Sequence, residues 1–199
     1  MTMTALHVAI SMLVVYPILS LMEYMIHCHL MHRRSLARMF ENKYLTDTFR
    51  DHAIVHHASC YAVFNSEKNQ CAEINIKVHP ATSIIVIALP CAVTLAVDPI
   101  TSLMFLVGAT VNGRIWSEIH AEMHRPRDAW FSNLRLYLYL RRRHYLHHRH
   151  PNSNFNTLFP MWDWVLRTTS VETDADRIAM KSAIWRVRPL SHDRIDPTS

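Results

Sequence analysis

The sequence predicts an all-α integral membrane protein: about three transmembrane helices under a cytoplasmic, histidine-rich helical cap. Three observations point there: long apolar blocks, basic residues confined to one side of them, and histidines gathered in four clusters. The chain has 199 residues, of which 50% are apolar and 19% charged, with only 2 Gly but 15 His. No repeat of solenoid length is visible, so the chain reads as one unit.

The first apolar block runs from Ala5 to Ile26 (ALHVAISMLVVYPILSLMEYMI) with one acidic group, Glu23, near its end. It is long enough to cross a bilayer. No basic residue precedes it and no small-residue cleavage site follows, so it is expected to stay as an anchor. The second block, Thr82 to Trp116, is broken only at Asp98 and Pro99. A turn pair in the middle of so long a stretch predicts two spans joined by a tight loop. The expected spans are 5–26, 82–97 and 100–117, within a membrane-embedded domain of residues 1–170. A C-terminal segment, 171–199, follows, in which Ile178, Met180, Ile184 and Trp185 are expected to form a short helix against the body.

Basic residues set the orientation. Arg33, Arg34, Arg38, Lys43, Arg50, Lys68 and Lys77 lie between the first two spans, and Arg125 to Arg149 follow the third. The positive-inside rule then puts the N-terminus outside and the histidine clusters and C-terminus in the cytoplasm, in a bacterial inner membrane or the endoplasmic reticulum. The net charge of +5 does not argue for nucleic acid, because the run RRRHYLHHRH lies just past a span, where anionic headgroups are the plainer partner. Cys28, Cys60, Cys71 and Cys91 show no CxxC spacing and mostly face the reducing side, so no disulfide framework is expected. The Trp and Tyr residues from Trp130 to Trp164 suit an interfacial belt.

The histidine clusters are His27 and His32; His52, His56 and His57; His120 and His124; and His144, His147 and His148. Imidazoles spaced for one helix face can converge on an ion. Ten of them packed together would repel if charged and would bury unpaired polar atoms if neutral, so metal is the economical reading. One ion needs fewer ligands than ten, whereas two ions with about five each fit the count. The cap is therefore expected to hold a dimetal site. Imidazole alone leaves zinc, copper, iron and nickel open. Among the remaining histidines, His29 points away from His27, His79 is left unassigned, His150 suits either capping of the site or headgroup contact, and His7 and His192 are not expected to be ligands.

The four motifs, HxxxxH after a span, HxxxHH, HxxxH after a hairpin of spans and HxxHH, followed by HPNSNFNTLFPMWDWVLRT, resemble the fatty acid hydroxylase and sterol desaturase superfamily of membrane di-iron enzymes. The likeness covers Glu23 to Thr169, and MEYMIHCHLMH resembles the start of the small bacterial carotenoid hydroxylases. It implies as metal ligands His27, His32, His52, His56, His57, His120, His124, His144, His147 and His148. It implies two iron ions, with zinc a substitute in isolated protein, and dioxygen as co-substrate. The reaction would be hydroxylation of an unactivated carbon in a lipid-like or apolar substrate, or desaturation at the same site.

Asp51 and Glu122 are candidates to hold imidazole tautomers by hydrogen bonding, and Asn154 to support the site from the segment where the family has NYG or NFG. Asp163 is expected to pair with a basic residue and anchor the C-terminal part. The chain has no dinucleotide motif, so electrons must come from a ferredoxin, rubredoxin or cytochrome b5 with its reductase, docking near Arg141 to Arg149. Two other classes compete: a metal transporter, which would need ionisable residues inside the spans, and a dizinc lipid hydrolase.

Overall fold

In the computed structural model, which describes residues 3–61, 64 and 80–183, a long helix forms at each expected span. Helix α1 is Met3–Met25 and continues into a π-helix, Ile26–Met31. Short helices α2 (Ser35–Met39) and α3 (Lys43–Phe49) lead to a second π-helix, Arg50–Cys60. Helices α4 (Pro80–Val97) and α5 (Pro99–His124) form a hairpin, and α6 (Arg135–Arg149), α7 (Met161–Val165) and α8 (Asp174–Ala183) complete the chain. All regular structure among the described residues is helical. The stretch Thr4–Met31 is long and apolar enough to cross a membrane, and Ile87–Val97 is a shorter apolar helix.

The hairpin turn forms where Asp98 and Pro99 dictate it. The Asp98 carboxylate caps α5, accepting from Ile100 N and Thr101 N. Pro99 at the first helical position needs no hydrogen-bond acceptor there. Helices α1 and α4 both pack on α5. Val15, Leu19 and Phe105 fill the α1–α5 contact. A Cβ on Gly108 would stand 3.2 Å from the Leu19 side chain, so this glycine sets how closely the helices approach. Their outward faces, with Leu13, Leu89, Val93, Val97 and Leu103 exposed, suit a lipid environment.

Two sequence expectations are corrected. His27 and His32 are five residues apart, as are His52 and His57, and on an α-helix that spacing turns the second side chain roughly 140° away from the first. Both segments wind instead as π-helices, whose i→i+5 pairing brings residues five apart onto one side. Cys60 is disulfide-bonded, while Cys28 and Cys91 are free thiols; local spacing does not decide which thiols the fold brings together.

Beyond the hairpin, a second core gathers Phe64, Met123, Tyr137, Leu140, Tyr145, Leu146 and Met180. Met180 thus docks α8 as expected, but Ile178 is exposed, and Ile184 and Trp185 lie outside the described residues, as do His79 and His192. Asp176 fastens the start of α8 by accepting from Thr173 N, Arg149 Nε and His150 Nε2. His150 therefore serves α8 rather than headgroups.

Candidate metal centre

The imidazoles meet where the C-terminal end of α1 with its π-helical continuation, the second π-helix, the end of α5 and α6 converge. His27, His32, His52, His57 and His147 form one group, and His56, His124, His144 and His148 another; within each, one nitrogen per residue lies within 4.8 Å of all the others. Adjacent histidines are shared out. His57 and His147 belong to the first group while their neighbours His56 and His148 belong to the second, so the second π-helix and α6 each serve both. The two groups adjoin through His57 and His148, stacked at 3.9 Å. His120 stands beside the second group, its ring 4.7 Å from His144 and 4.8 Å from His124.

His52 shows why these contacts are not an ordinary hydrogen-bond network. Its Nε2 lies 2.9 Å from His27 Nε2, 2.9 Å from His32 Nε2 and 3.2 Å from His57 Nε2. One ring nitrogen has either one N–H or one lone pair, so it cannot make three hydrogen bonds. A shared cation satisfies all four nitrogens. Ligands at right angles, each ~2.1 Å from an ion, stand ~3.0 Å apart, whereas a tetrahedral angle spreads them to ~3.4 Å. The separations of 2.9 to 3.2 Å, with 3.0 Å from His32 to His147, are those of nitrogens that would share one ion, mostly nearer the right-angled spacing. In the second group and the adjoining His120, His124 and His144 stand 2.9 Å apart at Nε2, and His56 Nε2, His120 Nε2 and both nitrogens of His148 are buried with no hydrogen-bond partner among the described residues. Such orphaned atoms are costly unless something absent from the protein meets them.

Backbone carbonyls settle three tautomers. His27 Nδ1 donates to Phe155 O at 2.5 Å, His147 Nδ1 to Ser153 O at 2.7 Å, and His124 Nδ1 to Phe64 O at 2.9 Å. A carbonyl only accepts, so each Nδ1 carries the proton and each Nε2 offers its lone pair. Burial, reinforced by the neighbouring imidazoles, holds His52, His56, His120, His144, His147 and His148 well below the usual histidine range. His124 is pushed down to about 3, mainly by burial. The cluster is therefore neutral at physiological pH, the form in which imidazole ligates.

The expected carboxylate and amide supports are elsewhere. Asp51 pairs with Arg50. Glu122 accepts from Arg127 N, Ala129 N and Ser132 Oγ, because a residue two positions from both His120 and His124 faces the opposite side of α5. Asn154 Nδ2 donates to Ser170 Oγ. Among the described residues, none of the three bonds an imidazole.

The supports that matter are Asp163 and Glu23. Asp163 is fully buried, pairs with Arg143 at 2.9 Å, and accepts from Phe155 N, Asn156 N and Thr168 Oγ1. It thereby shapes the loop whose carbonyls hold His27 and His147. Glu23 accepts from Thr157 N and Trp116 Nε1, and the Trp116 ring stacks on His120 at 4.5 Å. The pairing of Asp163 was legible in advance. Its bearing on the histidines was not, although a lone carboxylate at the end of a span was already a signal for Glu23.

A chain whose described regular structure is all helical, with an apolar helix of membrane-crossing length and two groups of converging neutral imidazoles, is a membrane-associated, metal-binding protein in build. The sequence model of the fatty acid hydroxylase family matches residues 12–168, a range that holds all ten histidines and Asp163. The chain belongs to that family and is an oxidoreductase by membership. No curated protein and no solved structure matches it.

Proposed function

We propose that the protein is a dioxygen-dependent di-iron oxidase that hydroxylates an unactivated carbon of a lipid-like or apolar substrate. The observation that carries this reading is His52 Nε2 within 3.2 Å of three other imidazole nitrogens, at spacings mostly nearer the right-angled than the tetrahedral arrangement. That geometry departs from the tetrahedral site of a structural zinc, and iron is the metal that the family resemblance implies. His27, His32, His52, His57 and His147 would hold one ion; His56, His124, His144 and His148, with His120 beside them, would hold the other. Two iron ions, when bound, supply the redox chemistry that activates dioxygen toward a C–H bond.

The chain's own residues fix that site. The carbonyls of Ser153 and Phe155 keep the Nε2 atoms of His147 and His27 free to ligate, and burial of the imidazoles other than the half-buried His32 and His148 limits the access of water. Desaturation at the same site is the second outcome of the same chemistry.

We place 5–26, 82–97 and 100–117 across the membrane in a 1–170 domain, with the N-terminus outside and the histidines cytoplasmic, on the distribution of basic residues. The test of the function is metal and oxygen dependence in detergent-purified protein. About two irons per chain, with a spectral change when the reduced protein meets dioxygen, is expected. Two tightly held zincs and oxygen-independent activity would replace this reading with a hydrolase.

Electrons would arrive from a separate ferredoxin, rubredoxin or cytochrome b5. The docking face expected at Arg141 to Arg149 is not a free basic surface: Arg141 and Arg143 are 4% and 6% exposed, and Arg142, Arg143 and Arg149 pair with Glu172, Asp163 and Asp176. Arg33, Arg34 and Arg38 are exposed and follow directly on the half-buried His32, so we assign the donor to that surface. Arg33→Glu combined with Arg34→Glu is expected to slow donor-driven turnover by roughly tenfold at low salt with iron retained. Equal rates would reject the assignment.

A further inference from the structure

The chain after α6 does not stay with the cap. Ser20 Oγ donates to Phe159 O at 3.2 Å, Trp162 Nε1 donates to Pro17 O at 2.9 Å, and the Phe159 ring lies 5.7 Å from Tyr16. At 1.5 Å per residue, Ser20 and Pro17 lie ~9 Å and ~14 Å from Ile26 along α1. The far end of that helix is marked by His7, which meets Asp98 of the α4–α5 turn at 2.9 Å in an exposed polar contact. A hydrocarbon core of ~30 Å takes about 20 helical residues, and counted from His7 it ends near residue 27. Residues 159–162 therefore touch α1 at a depth where the surroundings are acyl chains.

Two further observations agree. Trp164 and Val165 are 53% and 61% exposed, and Leu166 beside them is also exposed. Trp164 connects to α1 through the exposed Phe159, whose ring lies 6.1 Å from that of Trp164 and 5.7 Å from that of the exposed Tyr16. A non-helical backbone sits at membrane depth where its polar groups are met within the protein, and several groups of this segment are. Phe155 N and Asn156 N bond Asp163, Thr157 N bonds Glu23, and Phe159 O accepts from Ser20. Trp164 N, Leu166 N and Thr168 N reach the carbonyls of Pro160, Trp162 and Asp163. The Asp163 charge is itself neutralised by Arg143. Arg167, next in the chain, is exposed, and its long side chain can extend to headgroup level.

We propose that residues 157–166 form a re-entrant element seated in the same leaflet as the inner half of α1, with Trp164, Val165 and Leu166 against lipid acyl chains. The proposal rests on α1 crossing the membrane. The element is continuous with Phe155, whose ring lies 5.8 Å from that of His27, so it brings the lipid phase to the flank of the first imidazole group. An apolar substrate could then approach laterally from the bilayer.

Single cysteines test this in membranes opened to both sides, using a water-soluble maleimide and the unsubstituted chain as the blank for Cys28 and Cys91. Val171, 87% exposed and beyond the element, and Val14, 51% exposed in mid-span, supply the controls. Val171→Cys should label promptly, whereas Val14→Cys and Val165→Cys should lose labelling until the bilayer is dissolved in denaturing detergent. Labelling of Val165→Cys at the Val171→Cys rate, with Val14→Cys still protected, overturns the re-entrant element. Labelling of Val14→Cys as well overturns the span on which it rests.

Discussion

Replacing His52 with alanine is expected to strip metal from the first imidazole group and abolish turnover. His52 is fully buried, and its Nε2 stands against those of His27, His32 and His57, so it is the nitrogen that three other members of the group share. Changes to residues that merely orient a ligand cost ~10–100-fold in metal affinity; removal of the shared nitrogen is expected to exceed that. His148→Ala should strike the second group instead, because His148 belongs to the set with His56, His124 and His144. Metal analysis after dialysis against a chelator distinguishes the two variants. If His52→Ala holds the same metal at the same affinity as the unsubstituted protein, the grouping is wrong.

Asp163→Asn should damage the same group without touching any imidazole. The substitution keeps the shape of the side chain but leaves the Arg143 guanidinium, 6% exposed, as an uncompensated buried charge, which costs about 3–5 kcal/mol. For a chain of this size that corresponds to a fall of roughly 6–20 °C in melting temperature. The loop from Ser153 to Asn156 loses its charged acceptor, so the carbonyls that set His27 and His147 should drift and first-group metal should weaken as well. Removing both charges, with Asp163→Asn and Arg143→Met, is expected to cost less than the sum of the two single changes, as coupled partners do. Additive losses, or a single variant with unchanged melting and metal content, would show that the pair does not organise the loop.

The sequence by itself determined the elements whose causes are local. Apolar runs of bilayer length set α1, α4 and α5; the Asp98–Pro99 pair set the turn between α4 and α5; and clustered imidazoles marked the residues that would meet. The π-helices were not among these elements: the clusters read as ordinary helix faces, and the five-residue intervals of His27–His32 and His52–His57 converge only because the backbone winds more widely there. Only the tertiary structure decided which imidazole joins which group, because neighbours such as His56 and His57 leave the backbone in different directions and find partners far along the chain. The same holds for the carboxylates. Asp51 and Glu122 are close to histidines in sequence but point away from them, whereas Glu23 and Asp163 reach the site through contacts with the 153–157 loop. The buried arginines of α6 looked like a basic surface for the same reason: sequence shows that a charge is present, and only packing shows whether it faces water or a partner.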